Sequence, residues 1–284
     1  MILPPWIVLD PSLKSWLLED IGRGDRATQG LLTSEMPWGK ANWIVKETGM
    51  IAGLPIAARI FHLLNPEVRF TAKVKEGECC SEGTIIAALE GPFDALLMGE
   101  RVALNLTMRL SGIASATRQY VEAIATLPAR FVDTRKTTPG LRLLEKYATG
   151  VGGAINHRMG LDDAAMIKDN HIQAAGGIGK AIAQVRATLP YPLTIEVETS
   201  NISEVREALE YQADIIMLDN MTVETMGEAV KIIRDRNPAT RIEASGNITL
   251  KTIYPIAETG VDYISSSAPI TRSPWLDLSM KLMA

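Results

Sequence analysis

Beyond residue 128 the chain alternates short apolar runs with longer amphipathic ones. The apolar runs fall at 129–132, 164–167, 194–197, 215–218, 241–244 and 263–265. Each is β-prone and too short for a buried helix, whereas 203–211 and 223–235 carry apolar residues at helical spacing, the latter led in by Asn220-Met221-Thr222. Six such units predict a parallel sheet with right-handed crossovers. Periodicity alone does not separate a barrel from an open doubly wound sheet.

The first part of the chain lacks that rhythm. A helix is expected over 11–20, with Leu13, Trp16 and Leu17 on one face, Ser12 as its cap and Gly22-Arg23-Gly24 as its stop. Strand-like segments around 43–46, 72–75 and 84–89 flank a helix that ends before Asn65-Pro66, which predicts an α+β region with antiparallel strands. Residues 94–127 read as helical, with a break expected at Ser111-Gly112 and a domain boundary there.

Chemistry gathers where the regular rhythm begins. Run 129–132 leads into Asp133-Thr134-Arg135-Lys136, and run 164–167 leads into Lys168-Asp169-Asn170-His171. Between them a glycine-rich turn carries Asn156, His157 and Arg158. If the two strands are parallel neighbours, Arg135, Lys136, His157, Arg158 and Lys168 meet on one rim of a sheet, where α/β folds hold ligands. Such a set suits an anion with several negative groups, since guanidinium pairs with carboxylate or phosphate through two bonds and lysine adds a mobile charge. Singly, each would pass for a solvated surface cation. Glu196 and Glu198 alternate with Val197 and so share a face, and Asp219 ends the following strand.

Composition narrows the classes. With 284 residues, 46% of them hydrophobic, the chain can bury a sizeable core. A formal net charge of −4, without a basic tail, argues against a general nucleic-acid binder. No apolar run approaches the roughly 18 residues of a membrane span, and no signal peptide is recognisable. The two cysteines, Cys79 and Cys80, are adjacent, which suits a reducing cytoplasm better than a disulfide framework. The three histidines, His62, His157 and His171, are too scattered for a zinc motif, and His171 is expected to be structural.

Asp133-Thr-Arg-Lys-Thr-Thr-Pro-Gly-Leu-Arg, Asn156-His-Arg-Met-Gly-Leu and Ile167-Lys-Asp-Asn-His resemble the signature of the quinolinate phosphoribosyltransferases. The likeness runs from Glu19-Asp-Ile-Gly-Arg-Gly-Asp through Glu100-Arg101 and Leu110-Ser-Gly-Ile-Ala to Ile195-Glu-Val-Glu, Met217-Leu-Asp-Asn and Glu243-Ala-Ser-Gly. It implies an N-terminal α+β sandwich domain over 1–115, completed by the tail 274–284, and an incomplete α/β barrel over 116–273. It also implies transfer of phosphoribosyl from 5-phosphoribosyl 1-pyrophosphate to quinolinate with decarboxylation, giving nicotinate mononucleotide, pyrophosphate and carbon dioxide.

On that resemblance the dicarboxylate would meet Arg101 from a second subunit, together with Thr134, Arg135, Lys136, His157, Arg158 and Lys168. The functional unit would be a homodimer, open to further assembly. Glu198 and Asp219 would hold ribose hydroxyls or Mg²⁺ and steady positive charge on the sugar carbon. Lys136 and Lys168 would hold carboxylate or pyrophosphate oxygens. Small residues at Ser245-Gly246-Asn247 and Ser265-Ser266-Ser267 would let backbone N–H groups approach the 5′-phosphate. Once the pyridine nitrogen is cationic, the ring itself is the electron sink for losing the adjacent carboxylate.

Two stretches depart from the family pattern: Val151-Gly152-Gly153-Ala154 replaces cysteine followed by three glycines, and Ser267 with Ile270-Thr271-Arg272 replaces a glycine and Thr-His-Ser. The rival readings are a paralogue acting on another acceptor, a Schiff-base aldolase using Lys168, and a non-catalytic binder of phosphorylated metabolites.

Overall fold

The structure is a computed structural model that describes residues 2–31 and 37–283. It opens with α1 (Trp6–Ile21), α2 (Arg26–Leu31), β1 (Trp38–Val45), β2 (Gly49–Met50), α3 (Leu54–Leu64), β3 (Arg69–Ala72), β4 (Cys79–Cys80) and β5 (Ile85–Pro92). The long α4 (Phe93–Ala123) leads to β6 (Arg130–Val132), α5 (Arg142–Val151), β7 (Ala165–Ile167), α6 (Asp169–Ala175) and α7 (Ile178–Thr188). Then follow β8 (Ile195–Thr199), α8 (Ile202–Glu210), β9 (Ile215–Asp219), α9 (Val223–Arg236) and β10 (Arg241–Ser245). The chain ends with α10 (Ile253–Glu258), β11 (Tyr263–Ser265), α11 (Ala268–Thr271) and β12 (Leu278–Met283). These elements form two compact units, one of residues 1–117, 138–153 and 272–284, the other of 118–137 and 154–271.

In the first unit β12-β1-β5-β3 form an antiparallel sheet, so the expected amphipathic tail is a strand, with Leu278 opposite Val45. Trp43 is fully buried and meets the edges of Phe61 and Phe70. Phe61 comes from α3, whose Leu54, Ile56, Ala57, Ile60 and Phe61 make its buried face. The first amides of that helix need acceptors. Glu76 supplies them, taking bonds from Gly53 N and Leu54 N, and Tyr147 Oη donates to the same carboxylate at 2.7 Å.

Two local expectations fail for identifiable reasons. Helix α1 starts at Trp6 and runs through Pro11, because Leu9, Leu13 and Leu17, four apart, all bury on one side. Helix α4 does not break at Ser111-Gly112: the Ser111 hydroxyl bonds the Ala52 backbone, and the Pro274 carbonyl fills the space a Gly112 side chain would need. Those small residues permit close packing and leave the helix intact. Segment 138–153 packs with the first unit. There the fully buried Glu145 accepts from Arg109 Nε and Nη2 and from the amide and hydroxyl of Thr138, enough donors to compensate a buried carboxylate.

All six expected strands form in the second unit, as one parallel sheet ordered β6-β11-β10-β9-β8-β7. The strands expected to be neighbours, β6 and β7, are the two edges, because β11 returns to pair with β6. A single parallel bridge between Val132 and Ile155 extends the β6 edge, and no ladder joins it to β7, so the barrel is incomplete. Side chains alternate along each strand, and the register carries that alternation across the sheet. Ile195, Val197, Ile216, Leu218, Ile242, Ala244, Ile264 and Phe131 therefore share one face, where they join the apolar core with α7, α8 and α9. Lys168, Glu196, Glu198, Asp219, Glu243, Ser245 and Ser265 fall by the same parity on the other face.

Candidate active site

That polar face is concave. His157, tied to the end of β6, lies within 3.6 Å of side chains on both β8 and β10, although β8 is the fifth strand in sheet order from β6. Only a sheet curled into a barrel wall brings those strands within reach of one ring.

Asp133 makes the tie. It ends β6 almost fully buried, and accepts from Asn156 Nδ2 at 2.7 Å and from the His157 amide at 2.8 Å. The His157 ring then reaches inward. Nδ1 accepts the Arg158 amide at 2.7 Å, and Nε2 faces Glu196 Oε2 at 3.2 Å and Glu243 Oε2 at 3.6 Å. Burial, and after it the Glu196 charge, push the Glu243 carboxyl up to about 7, with His157 opposing. The Ser265 hydroxyl bonds the same carboxylate and also opposes the rise.

Arg135 and Arg158 are near enough for the charge of the first to act on the second. Arg158 Nη1 donates to the Ala164 carbonyl at 2.9 Å. Burial first, then the Arg135 charge, pull Arg158 below the usual guanidinium range, with Glu196 acting the other way. Arg135 Nε is buried without a hydrogen-bond acceptor. Neighbouring cations, one with an unsatisfied buried donor, are costly unless an anion completes them. Lys136 is exposed in the turn beyond, where the Thr134 hydroxyl accepts its amide at 3.0 Å.

Across the sheet Lys168 Nζ pairs with Glu198 Oε2 at 3.0 Å, joining the ends of β7 and β8. His171 accepts the Lys168 amide at 3.0 Å, the structural role expected of it. At the end of β9, Asp219 accepts from Asn220 Nδ2 at 2.7 Å, and Asn220 Oδ1 accepts from Asn247 Nδ2 at 3.1 Å. Asn220, Gly246 and Asn247 all have positive φ, so this corner is a run of left-handed turns. The half-buried Ser266 accepts the Ala268 amide, and the Ser267 carbonyl accepts the amides of Ile270 and Thr271.

The structure thus brings Arg135, His157 and Arg158 into one cluster, Lys168 and Glu198 into a pair, and Asp219 into the network of Asn220 and Asn247. Arg101 is exposed on α4 in the first unit. Sequence reasoning gave no site role to Asp133, Glu196 or Glu243. The available signal was parity: Glu196 is two before Glu198, and Glu243 two before Ser245.

Residues 25–111 match the model of the quinolinate phosphoribosyl transferase N-terminal domain, and residues 113–281 match that of the C-terminal domain. The chain belongs to the quinolinate phosphoribosyltransferase family. Among its family relatives, a probable nicotinate-nucleotide pyrophosphorylase [carboxylating] of Synechocystis sp. is 64% identical over 281 residues, covering 99% of this chain and 95% of that protein. Its Bacillus subtilis counterpart is 43% identical, covering 94% and 91%. Among solved family structures, NadC from Streptococcus pyogenes superposes with a TM-score of 0.94 at 42% identity, covering 100% of this chain and 99% of that one. The architecture expected of the family, an incomplete α/β barrel with an antiparallel N-terminal sheet, is the one observed.

Proposed function

We propose that this chain transfers phosphoribosyl from 5-phosphoribosyl 1-pyrophosphate to quinolinate and decarboxylates the adduct, acting as a cytoplasmic homodimer. The observation that carries the reading is the Arg135 and Arg158 pair, with a buried guanidinium donor lacking an acceptor beside a second guanidinium. A dicarboxylate meets that need better than a lone phosphate, since its two groups span separate cations. Family membership selects quinolinate among diacids.

In this reading Arg135 and Arg158, with Thr134, Lys136, Lys168 and the partner's copy of Arg101, hold the pyridine diacid. His157 belongs to the site through the peptide it shares with Arg158. The bond from the ribose carbon to pyrophosphate breaks, with the electron pair leaving on pyrophosphate oxygen. The pyridine nitrogen lone pair forms the new bond to that carbon. Glu198 and Asp219 face the sugar and stabilise its transient positive charge. The pyridinium then accepts the electrons released as the adjacent carboxylate departs as carbon dioxide, and a proton replaces it on the ring. Ser245, Gly246, Asn247 and Ser265 to Ser267 line the 5′-phosphate.

Glu198 and Asp219 offer hard carboxylate oxygens at adjacent strand ends, the donor class magnesium takes, so these residues fit the ion. When bound, it would offset charge on the pyrophosphate. Among the described residues no helix is long and apolar enough to cross a membrane. The test is incubation with quinolinate, the phosphoribosyl donor and Mg²⁺, following carbon dioxide and nicotinate mononucleotide. Formation of both in equal amounts is expected. Pyrophosphate release with other pyridine acids and none with quinolinate would overturn the choice of acceptor.

A further inference from the structure

We propose that Asp133 and Asn156 are positioning residues: one buried carboxylate latches together the two loops that carry Arg135 and Arg158, and so sets the spacing of the guanidinium groups that hold the diacid. The inference rests on the reading of both arginines as contacts to quinolinate.

The hydrogen bonds at the β6 edge carry it. Ile155 N donates to the Phe131 carbonyl at 2.9 Å, and Asp133 N to the Ile155 carbonyl at 3.1 Å, the two bonds of one parallel rung. In a continuing parallel strand the His157 amide would next donate to the Asp133 carbonyl. It donates instead to Asp133 Oδ1 at 2.8 Å, while Oδ2 accepts from Asn156 Nδ2 at 2.7 Å. The side chain thus stands in for a main-chain acceptor, and the two backbones part after a single rung while staying fastened to each other.

Both arginines leave the backbone close to that latch. Arg135 stands two residues after Asp133, in a turn closed by the Lys136 amide on Thr134 Oγ1 at 3.0 Å and by the Thr137 amide on the Arg135 carbonyl at 2.9 Å. Arg158 stands two after Asn156, and its Nη1 donates to the Ala164 carbonyl at 2.9 Å. The Arg135 charge acts on Arg158, so the two side chains repel whenever no anion lies between them. Backbones fastened on both sides resist that repulsion and keep the pair spaced for a ligand. Preorganisation of this kind raises affinity without a new contact to the ligand.

Position 133 makes a specific chemical demand. Two N–H donors converge on a side chain that is 1% exposed, so it must offer two acceptor oxygens and no donor. A carboxylate supplies both. Asparagine has one oxygen, and its amide group would meet the amide group of Asn156 unless that residue turned over.

The test exchanges the two partners. Asn156→Asp sets two carboxylates against each other, and KM for quinolinate should rise about 10- to 100-fold, the range for losing a hydrogen bond to a charged group. KM for the phosphoribosyl donor should stay level. In Asp133→Asn combined with Asn156→Asp, position 133 keeps an oxygen for the His157 amide and donates its amide group to position 156. KM for quinolinate should then return to within about threefold of the parent enzyme. A double exchange no better than Asn156→Asp alone, or equal rises in KM for the two substrates, would overturn the latch. If Asn156→Asp fails to fold, the double exchange decides: folding with parent-like KM supports the latch, and failure to fold or to bind quinolinate overturns it.

Hydrogen exchange at the His157 amide reads the latch without substrate. It should be about tenfold or more faster in Asn156→Asp than in the parent and slow again in the double exchange. The same rate in all three proteins would overturn the proposal. Absence of turnover with quinolinate in the parent would defeat the functional reading while leaving this exchange rate as a test of the latch.

Discussion

Asn220 occupies the space that a side chain on Gly246 would need. A Cβ there would lie 2.2 Å from Asn220 Oδ1 and 2.8 Å from Asn220 N, and Gly246 has a φ of 94°, which L side chains rarely adopt. Both constraints act at the turn that follows β10. Gly246→Ala should therefore push Asn220 away from Asp219 and Asn247. We expect KM for the phosphoribosyl donor to rise about tenfold or more, with a smaller effect on KM for quinolinate, because a displacement near 1 Å at a positioning group is costly. Steady-state kinetics with each substrate varied in turn will check this.

A second glycine makes a structural prediction. A Cβ on Gly112 would lie 1.9 Å from the Pro274 carbonyl oxygen, in a helix with no room to move aside: Ser111 beside it is bonded to Ala52. Overpacking of a buried contact costs about 1–3 kcal/mol. Gly112→Ala should lower the melting temperature by several degrees and increase amide exchange in β12, which follows Pro274. Unchanged exchange along Leu278–Met283 would show that the tail packs independently of this contact.

Gly112 also illustrates what the sequence reveals and what it hides. Every strand of the parallel sheet was legible, because each leaves a short apolar run, too short for a buried helix, between amphipathic helical stretches. Glycine beside serine in a helical stretch was ambiguous: it can end a helix or let another backbone come close, and only the partner at Pro274 decides. The packing of segment 138–153 was hidden for a similar reason. Its helical pattern fits a barrel helix, while the interaction that fixes it, Arg109 with Glu145, spans 36 positions and leaves no local signal. Arg135, Lys136 and Lys168 stood out because they end strands. Glu196 and Glu243 did not, because a carboxylate inside a strand normally faces water, and the curl of the sheet that buries them is a tertiary property.

Asp10 and Arg59 supply a pH dependence. They form a two-bond ion pair between α1 and α3, with Nε to Oδ1 at 2.9 Å, and Arg59 also stacks over Trp6 at 5.6 Å. The hydrogen bond from Arg59 holds the Asp10 carboxyl below its usual range, with burial opposing. A carboxyl depressed on folding contributes stability that is present above its unfolded pKa and is lost as pH falls through the folded value. Arg59→Ala should thus cost about 1 kcal/mol at pH 7 and progressively less below pH ~4, where the protonated carboxyl no longer gains from the pair. Thermal melts of the two proteins from pH 3 to pH 7 should converge at the acid end. A gap that widens toward acid would contradict the assignment.

The exposed Arg101 on α4 gives the sharpest test of assembly. If it completes the acceptor site of a partner subunit, each active site takes Lys168 from one chain and Arg101 from the other. Arg101→Ala removes a charge contact to the diacid, and Lys168→Ala removes the partner of Glu198; each homodimer should lose about 100-fold or more in kcat/KM. A mixed dimer would carry both defects in one site and neither in the second. Random exchange makes half of the dimers mixed, so activity should return to about a quarter of the parent value under twofold symmetry. Verified mixed dimers with no recovery would place Arg101 in the same site as Lys168 of its own chain. An Arg101→Ala protein that keeps the parent activity and KM for quinolinate would instead place Arg101 outside the site.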